Sequence, residues 1–156
     1  MSDIKEHTHL GVYGLLIEND KILLVKKNGG PYHGKLDLPG GSLKHSEKPI
    51  DTLIREFIEE TGIKINKYEL FDFDSVSFTY KKEDMLIKEH HIGAFYKIID
   101  YSNNIKQNIP IDNQNDDSMG AEFYDINKLL ELNLSAIVIL ELKKLGYNLN
   151  RETIWK

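Results

Sequence analysis

The chain has 156 residues, 40% hydrophobic and 29% charged, with a formal net charge of −5 and no cysteine. That is the size and make-up of one globular domain with its own core, so residues 1–156 are read as a single domain. Without cysteine, disulfide frameworks, zinc–thiolate sites, iron–sulfur clusters and cysteine nucleophiles are excluded, and the acidic balance argues against non-specific nucleic-acid binding.

The stretch Met1–Thr8 is polar, and no apolar run approaches the ~20 residues of a membrane span. The expectation is a cytoplasmic protein with no membrane partner. His9–Glu18 reads as a strand, Asn19-Asp20 as a turn and Lys21–Lys27 as the returning strand. Asn28–Gly34, with three glycines and a proline, reads as a loop. A short strand at Leu36–Leu38 ends in Pro39-Gly40-Gly41, and a helix follows from about Glu47 to Thr61, with Ser46 as N-cap and Gly62 at the C-terminal stop. Ile63–Phe71, Asp72–Tyr80 and Leu86–Ile99 read as strands, with a charged turn at Lys81–Asp84. Tyr101–Ser118, rich in Asn, Gln and Asp, reads as a long exposed loop. Glu122–Tyr124 is a short strand, Asp125 caps a brief helix to Leu132, and Ser135 caps a last helix, Ala136–Leu145. The sum is an α+β domain of about six strands, a central helix and a C-terminal helix.

The central helix holds a conflict. At 100° per residue Ile50, Leu53, Ile54, Phe57 and Ile58 share one apolar face, while Glu56, Glu59 and Glu60 crowd an arc of about 100° elsewhere, with Arg55 beside them. Like charges at these spacings repel, and the last turn disfavours negative charge. Something must offset both penalties, and a hard divalent cation, Mg²⁺ or Mn²⁺, prefers such oxygen ligands. The competing reading is a plain solvated acidic face. The glycine turn just before the helix lets backbone approach a ligand closely.

Gly41 to Ile63 reads Gly-Ser-Leu-Lys-His-Ser-Glu-Lys-Pro-Ile-Asp-Thr-Leu-Ile-Arg-Glu-Phe-Ile-Glu-Glu-Thr-Gly-Ile. It resembles the box of the Nudix (MutT-type) hydrolases: Gly41, Glu47, Arg55, Glu56, Glu59, Glu60 and Gly62 match at the family's spacing, and Ile63 matches the final apolar position. Phe57 departs mildly, standing where the family usually has an aliphatic residue. The resemblance implies an α/β/α sandwich around a mixed sheet. It implies hydrolysis of a nucleoside diphosphate linked to another moiety, with Mg²⁺ or Mn²⁺. Residue by residue, it implies Glu56, Glu59 and Glu60 as metal ligands, with the Gly40 carbonyl adding another. Glu47 and Arg55 become the orienting pair, and Arg55 could reach either Glu47 or the carboxylate cluster. A carboxylate takes the proton of the attacking water, Glu56 first and Glu59 second, with Asp116, Asp117 and Glu122 as distal alternatives. Gly40, Gly41, Lys27 and Phe123 are the residues expected to meet substrate. Lys26, Tyr13 and Tyr32 are weaker candidates, and Leu36 and Phe123 stand where many relatives have Trp.

The substrate stays open between a modified nucleoside triphosphate, ADP-ribose, a nucleotide sugar and a dinucleoside polyphosphate. The alternative is a catalytically silent nucleotide or ADP-ribose sensor. The partner is a small molecule, and the resemblance also allows a homodimer. His7 and His9 share a strand face and read as an adventitious surface pair, since no carboxylate or third histidine follows at ligand spacing. His90 and His91 point to opposite faces, and His33 reads as a plain loop residue. The charge is concentrated: residues 47–60 carry five acidic against two basic side chains, and 112–125 carry five acidic and no basic one. The rest of the chain is mildly basic and would tolerate a polyphosphate.

Overall fold

The structure, a computed structural model, describes residues 3–105 and 118–149. In chain order come β1 (Ile4–Leu15), β2 (Ile17–Glu18), β3 (Lys21–Lys27), β4 (Leu36–Asp37), β5 (Gly40–Ser42), α1 (Pro49–Thr61), β6 (Lys64–Lys82), β7 (Met85–Ser102), β8 (Ser118–Asp125), a 3-10 turn (Ile126–Glu131) and α2 (Ala136–Lys144). One sheet runs β5-β1-β7-β6, with β1 and β7 parallel and both outer pairings antiparallel, so it is mixed. In the other, β3 pairs with β2 and β4, and antiparallel with β8.

Alternation along the end of β1 and into Leu16, the residue after it, divides the core. Val12 and Leu16 join Leu23, Leu53, Phe57, Ile65 and Ile98 in the cluster under α1. Tyr13 and Leu15 join Ile22, Leu24, Phe95 and the α2 residues Ile137, Val138 and Leu142 in the other cluster. The helices thus cover opposite faces of the sheets, and the implied α/β/α layering is present. No helix among the described residues is long and apolar enough to cross a membrane.

Most elements fall where the pattern puts them. Asn19 and Asp20 both take positive φ, 51° and 60°, as a tight hairpin turn requires. Asp125 and Ser135 each accept a backbone N–H at the start of their helices, and Gly62 closes α1 at φ 80°. Several expectations are corrected. The two strands expected at Ile63–Phe71 and Asp72–Tyr80 are one strand, β6, with register shifts between Ile65 and Lys67, Lys67 and Tyr68, and Leu70 and Asp72. Each bulge breaks the two-residue period, and in sequence a broken period looks like a boundary. Ile58, assigned to the apolar face of α1, is 42% exposed, while Glu60 is buried. Finally, α1 begins at Pro49, with Lys48 as its uncapped N-cap, and Ser46 caps nothing. Proline at the first helical position forces the preceding residue out of helical geometry, and Lys48 sits at φ −75°, ψ 147°. Glu47 therefore lies before the helix, in a loop. Within 101–118, Tyr101 and Ser102 belong to β7 and Ser118 to β8, while residues 106–117, including Asp112, Asp116 and Asp117, lie outside the described residues.

Candidate active site

The site is assembled where β5, the C-terminal half of α1 and the end of β3 meet. Release from the helix lets Glu47 fold back onto it. Its carboxylate receives two parallel bonds from Arg55, Nε to Oε2 and Nη2 to Oε1, both 3.0 Å, and a third from the Thr52 hydroxyl at 2.6 Å. These bonds, Arg55 first and Thr52 second, hold the Glu47 carboxyl down at about 2. The same guanidinium reaches Glu56 Oε1 at 2.9 Å and Glu59 Oε2 at 3.4 Å. Arg55 thus makes both of the contacts left open by the sequence, and its own pKa is raised, chiefly by Glu47. One cation offsets part of the repulsion between Glu56 and Glu59.

Glu60 takes another direction. It is 1% exposed, accepts from the Gly40 N–H at 3.3 Å, and has Oε2 3.7 Å from Lys27 Nζ. Lys27 is itself buried, at the end of β3. The glycine turn is fitted to this packing. Gly40 has φ 144°, and a Cβ there would lie 2.1 Å from the Val12 carbonyl oxygen. A Cβ on Gly41 would lie 2.8 Å from the Glu56 carboxyl carbon, so only glycine lets that carboxylate lie on the turn.

A cavity of about 340 Å³ opens beside the turn, with Glu56, Gly40, Gly41, Lys27, Asp37 and Lys44 in its wall. Its far wall is aromatic and polar. His91, 1% exposed, sits with Nε2 2.6 Å from the Tyr13 hydroxyl and Nδ1 2.7 Å from the Tyr32 hydroxyl. His9 stacks on it at 4.7 Å and reaches the Ser42 hydroxyl at 2.6 Å. Burial, with smaller contributions from His9 and Lys27, lowers the His91 pKa to about 3, so its ring is neutral.

Of the candidate residues, Glu56, Gly40, Gly41 and Lys27 meet at the cavity, and Arg55, Glu47, Glu59 and Glu60 stand around them. Phe123 packs in the cluster under α1 instead of in the cavity wall, and Leu36 is core. Lys26 points to solvent, and Glu122 lies exposed on β8. Sequence reasoning missed Asp37, whose carboxylate accepts from the Ser135 hydroxyl at 2.7 Å and so ties the cavity wall to the start of α2. It also missed Glu89, the carboxylate that pairs with His7, because the partners are 82 positions apart. The donors around the turn are all oxygen, which suits a hard cation. Among the described residues no three acidic or histidine side chains already converge at metal-binding distance; Arg55 and Lys27 lie against these carboxylates.

A sequence profile of the NUDIX domain matches residues 7–141. The chain is 30% identical over 126 residues to an ADP-ribose pyrophosphatase of Methanocaldococcus jannaschii, covering 81% of this chain and 67% of that one. It is 32% identical over 94 residues to a probable DHNTP pyrophosphohydrolase of Lactococcus lactis, covering 60% of this chain and 55% of that one. Its fold resembles the crystal structure of a MutT NUDIX hydrolase from Burkholderia pseudomallei, with TM-score 0.72 and 19% identity over 90% of this chain and 99% of that one. The chain belongs to the Nudix family of hydrolases. It spans about half to two thirds of the length of these two curated relatives.

Proposed function

We propose that the protein hydrolyses a nucleoside diphosphate linked to another moiety, using Mg²⁺ or Mn²⁺, with ADP-ribose as the first candidate substrate. The observation that carries this reading is the Glu56 carboxylate lying on the Gly40-Gly41 turn at the cavity, with Arg55 and Glu47 behind it. Glu56, Glu59, Glu60 and the Gly40 carbonyl are the residues that would hold the cation. When bound, the cation supplies Lewis-acid chemistry, neutralising diphosphate charge and easing deprotonation of a water. Glu56 is our first choice as acceptor of that proton and Glu59 the second. Arg55 and Glu47 keep the carboxylates aligned, and Lys27 meets a phosphate oxygen. The relative named ADP-ribose pyrophosphatase supports the substrate choice. We take the partner to be a small molecule, with no nucleic acid or membrane, in a cytoplasmic setting. A homodimer is part of the proposal and would appear as a doubled mass in light scattering.

The test is product analysis on ADP-ribose, 8-oxo-dGTP, a nucleotide sugar and a dinucleoside polyphosphate, with Mg²⁺, Mn²⁺ or chelator. AMP and ribose phosphate from ADP-ribose, lost on chelation, are the expected result. Tight ADP-ribose binding with turnover of nothing would favour the sensor.

A further inference from the structure

His7 and Glu89 face one another across the parallel β1–β7 pair. His7 Nδ1 lies 2.8 and 3.0 Å from the two Glu89 oxygens, so Nδ1 carries the proton and donates. The carboxylate side chain is 1% exposed and the imidazole 53%. A buried carboxylate whose hydrogen bonds go to one half-exposed ring fixes that ring's tautomer and aims Nε2 outward.

The outward side is a second cavity of about 600 Å³. His7, Pro31, Tyr80, Met85 and Ile87 supply much of its lining. The charges around it are two lysines, Lys5 and Lys82, against Asp3, Glu83 and Asp84. That near balance gives no preference for a further phosphate, and the apolar surface suits a neutral ring. Gly30 and Pro31 line this cavity and the catalytic one alike, so the two adjoin across loop 28–34. Along the strands, the His9–His91 row and the Lys5–Ile87 row lie four residues apart, roughly 13 Å.

We infer that His7, oriented by Glu89, binds the far arm of a two-armed substrate: a nucleoside diphosphate whose second moiety is a neutral sugar or nucleoside. The imidazole Nε2 hydrogen-bonds a hydroxyl of that arm, over the apolar floor of Tyr80, Met85 and Ile87. A nucleoside triphosphate has only one ring-bearing arm and leaves this cavity unused. The inference rests on the diphosphate-hydrolase reading for its choice of ligands.

Two measurements test it. In NMR of the full chain, assigned with His7→Ala, ADP-ribose should shift the His7 ring resonances and ADP should not. In kinetics, His7→Ala should lower the ratio of kcat/KM for ADP-ribose over ATP about tenfold, through KM, the worth of one hydrogen bond. Because that change strands the Glu89 carboxylate, the double variant His7→Ala/Glu89→Gln is measured alongside, with its thermal midpoint as the check on folding. Equal losses on both substrates, or no NMR shift with ADP-ribose, would overturn the inference while leaving the hydrolase reading intact. A shift with ADP-ribose in a protein that turns over nothing would support the subsite and refute the hydrolase reading.

Discussion

Arg55 is one cation against three carboxylates, and its bonds are unequal. Glu47 holds it by two parallel bonds, Glu56 by one at 2.9 Å, and Glu59 only at 3.4 to 3.5 Å. Glu59, the most exposed of the three at 36%, therefore contributes little to the fold. In our reading Glu59→Gln lowers metal-dependent kcat by more than about a hundredfold and leaves the thermal midpoint where it was. An unchanged kcat would remove Glu59 from the site. In the same reading Glu47, bonded twice to Arg55, acts through it. Glu47→Ala should cost about 10–100-fold in kcat/KM while calorimetry still detects some Mn²⁺ binding. The depressed Glu47 pKa means its bonding with Arg55 is intact above the usual carboxylate range and is lost as pH falls through about 2.

At the scale of elements, α2 docks on β6 through an uncommon contact. Glu141 of α2 is fully buried beside Asp72, and Lys144 reaches both Asp72, at 2.6 Å, and Asp74. Burial first, then the Asp72 carboxylate, pushes the Glu141 carboxyl up to about 9; Lys144 opposes this and Asp74 adds to it. The native state thus holds a proton that the unfolded chain releases above about 4.5. Stability must fall as pH rises from there to about 9. Glu141→Gln, which needs no proton, should raise the thermal midpoint at pH 8 by roughly 2–4 °C per kcal/mol recovered. An unchanged or lower midpoint at pH 8 would show that Glu141 is ionised in the fold. The bulge between Leu70 and Asp72 belongs to this contact, since the residues just after it are those that meet α2.

For the whole molecule, His91 supplies the opposite slope. It joins the β1–β7 sheet to loop 28–34 through Tyr13 and Tyr32. Being neutral when folded, it contributes stability that is complete above 6.5 and is lost as pH falls toward about 3. Between about 4.5 and 6.5 one proton released by His91 on folding offsets one taken up by Glu141. The wild-type midpoint should be nearly flat there and fall on either side. In Glu141→Gln the flat region should become a rise with pH, which a series of melting curves would reveal; a region still flat would rule out the His91 contribution.

Much of this was readable from order alone. The hairpin at Asn19-Asp20, the caps Asp125, Ser135 and Gly62, and the box from Gly41 to Ile63 are local patterns, because turns, caps and helix faces depend on neighbours within a few residues. They carried the resemblance to the family, which in turn implied the layering, and they marked out the carboxylates of α1. What depended on distant partners was not readable. Pro49 excludes Glu47 from the helix, but only folding shows it clasping Arg55. The bulges in β6 register against β7, the burial of Glu60 beside Lys27, and the pairing of His7 with Glu89 all join residues remote in the chain. The net charge of −5 illustrates the division: its clustering in 47–60 is a property of the sequence. Which of those carboxylates faces the cavity, which faces Arg55 and which is buried was decided by packing, because a side chain's solvent and partners exist only once the sheets close.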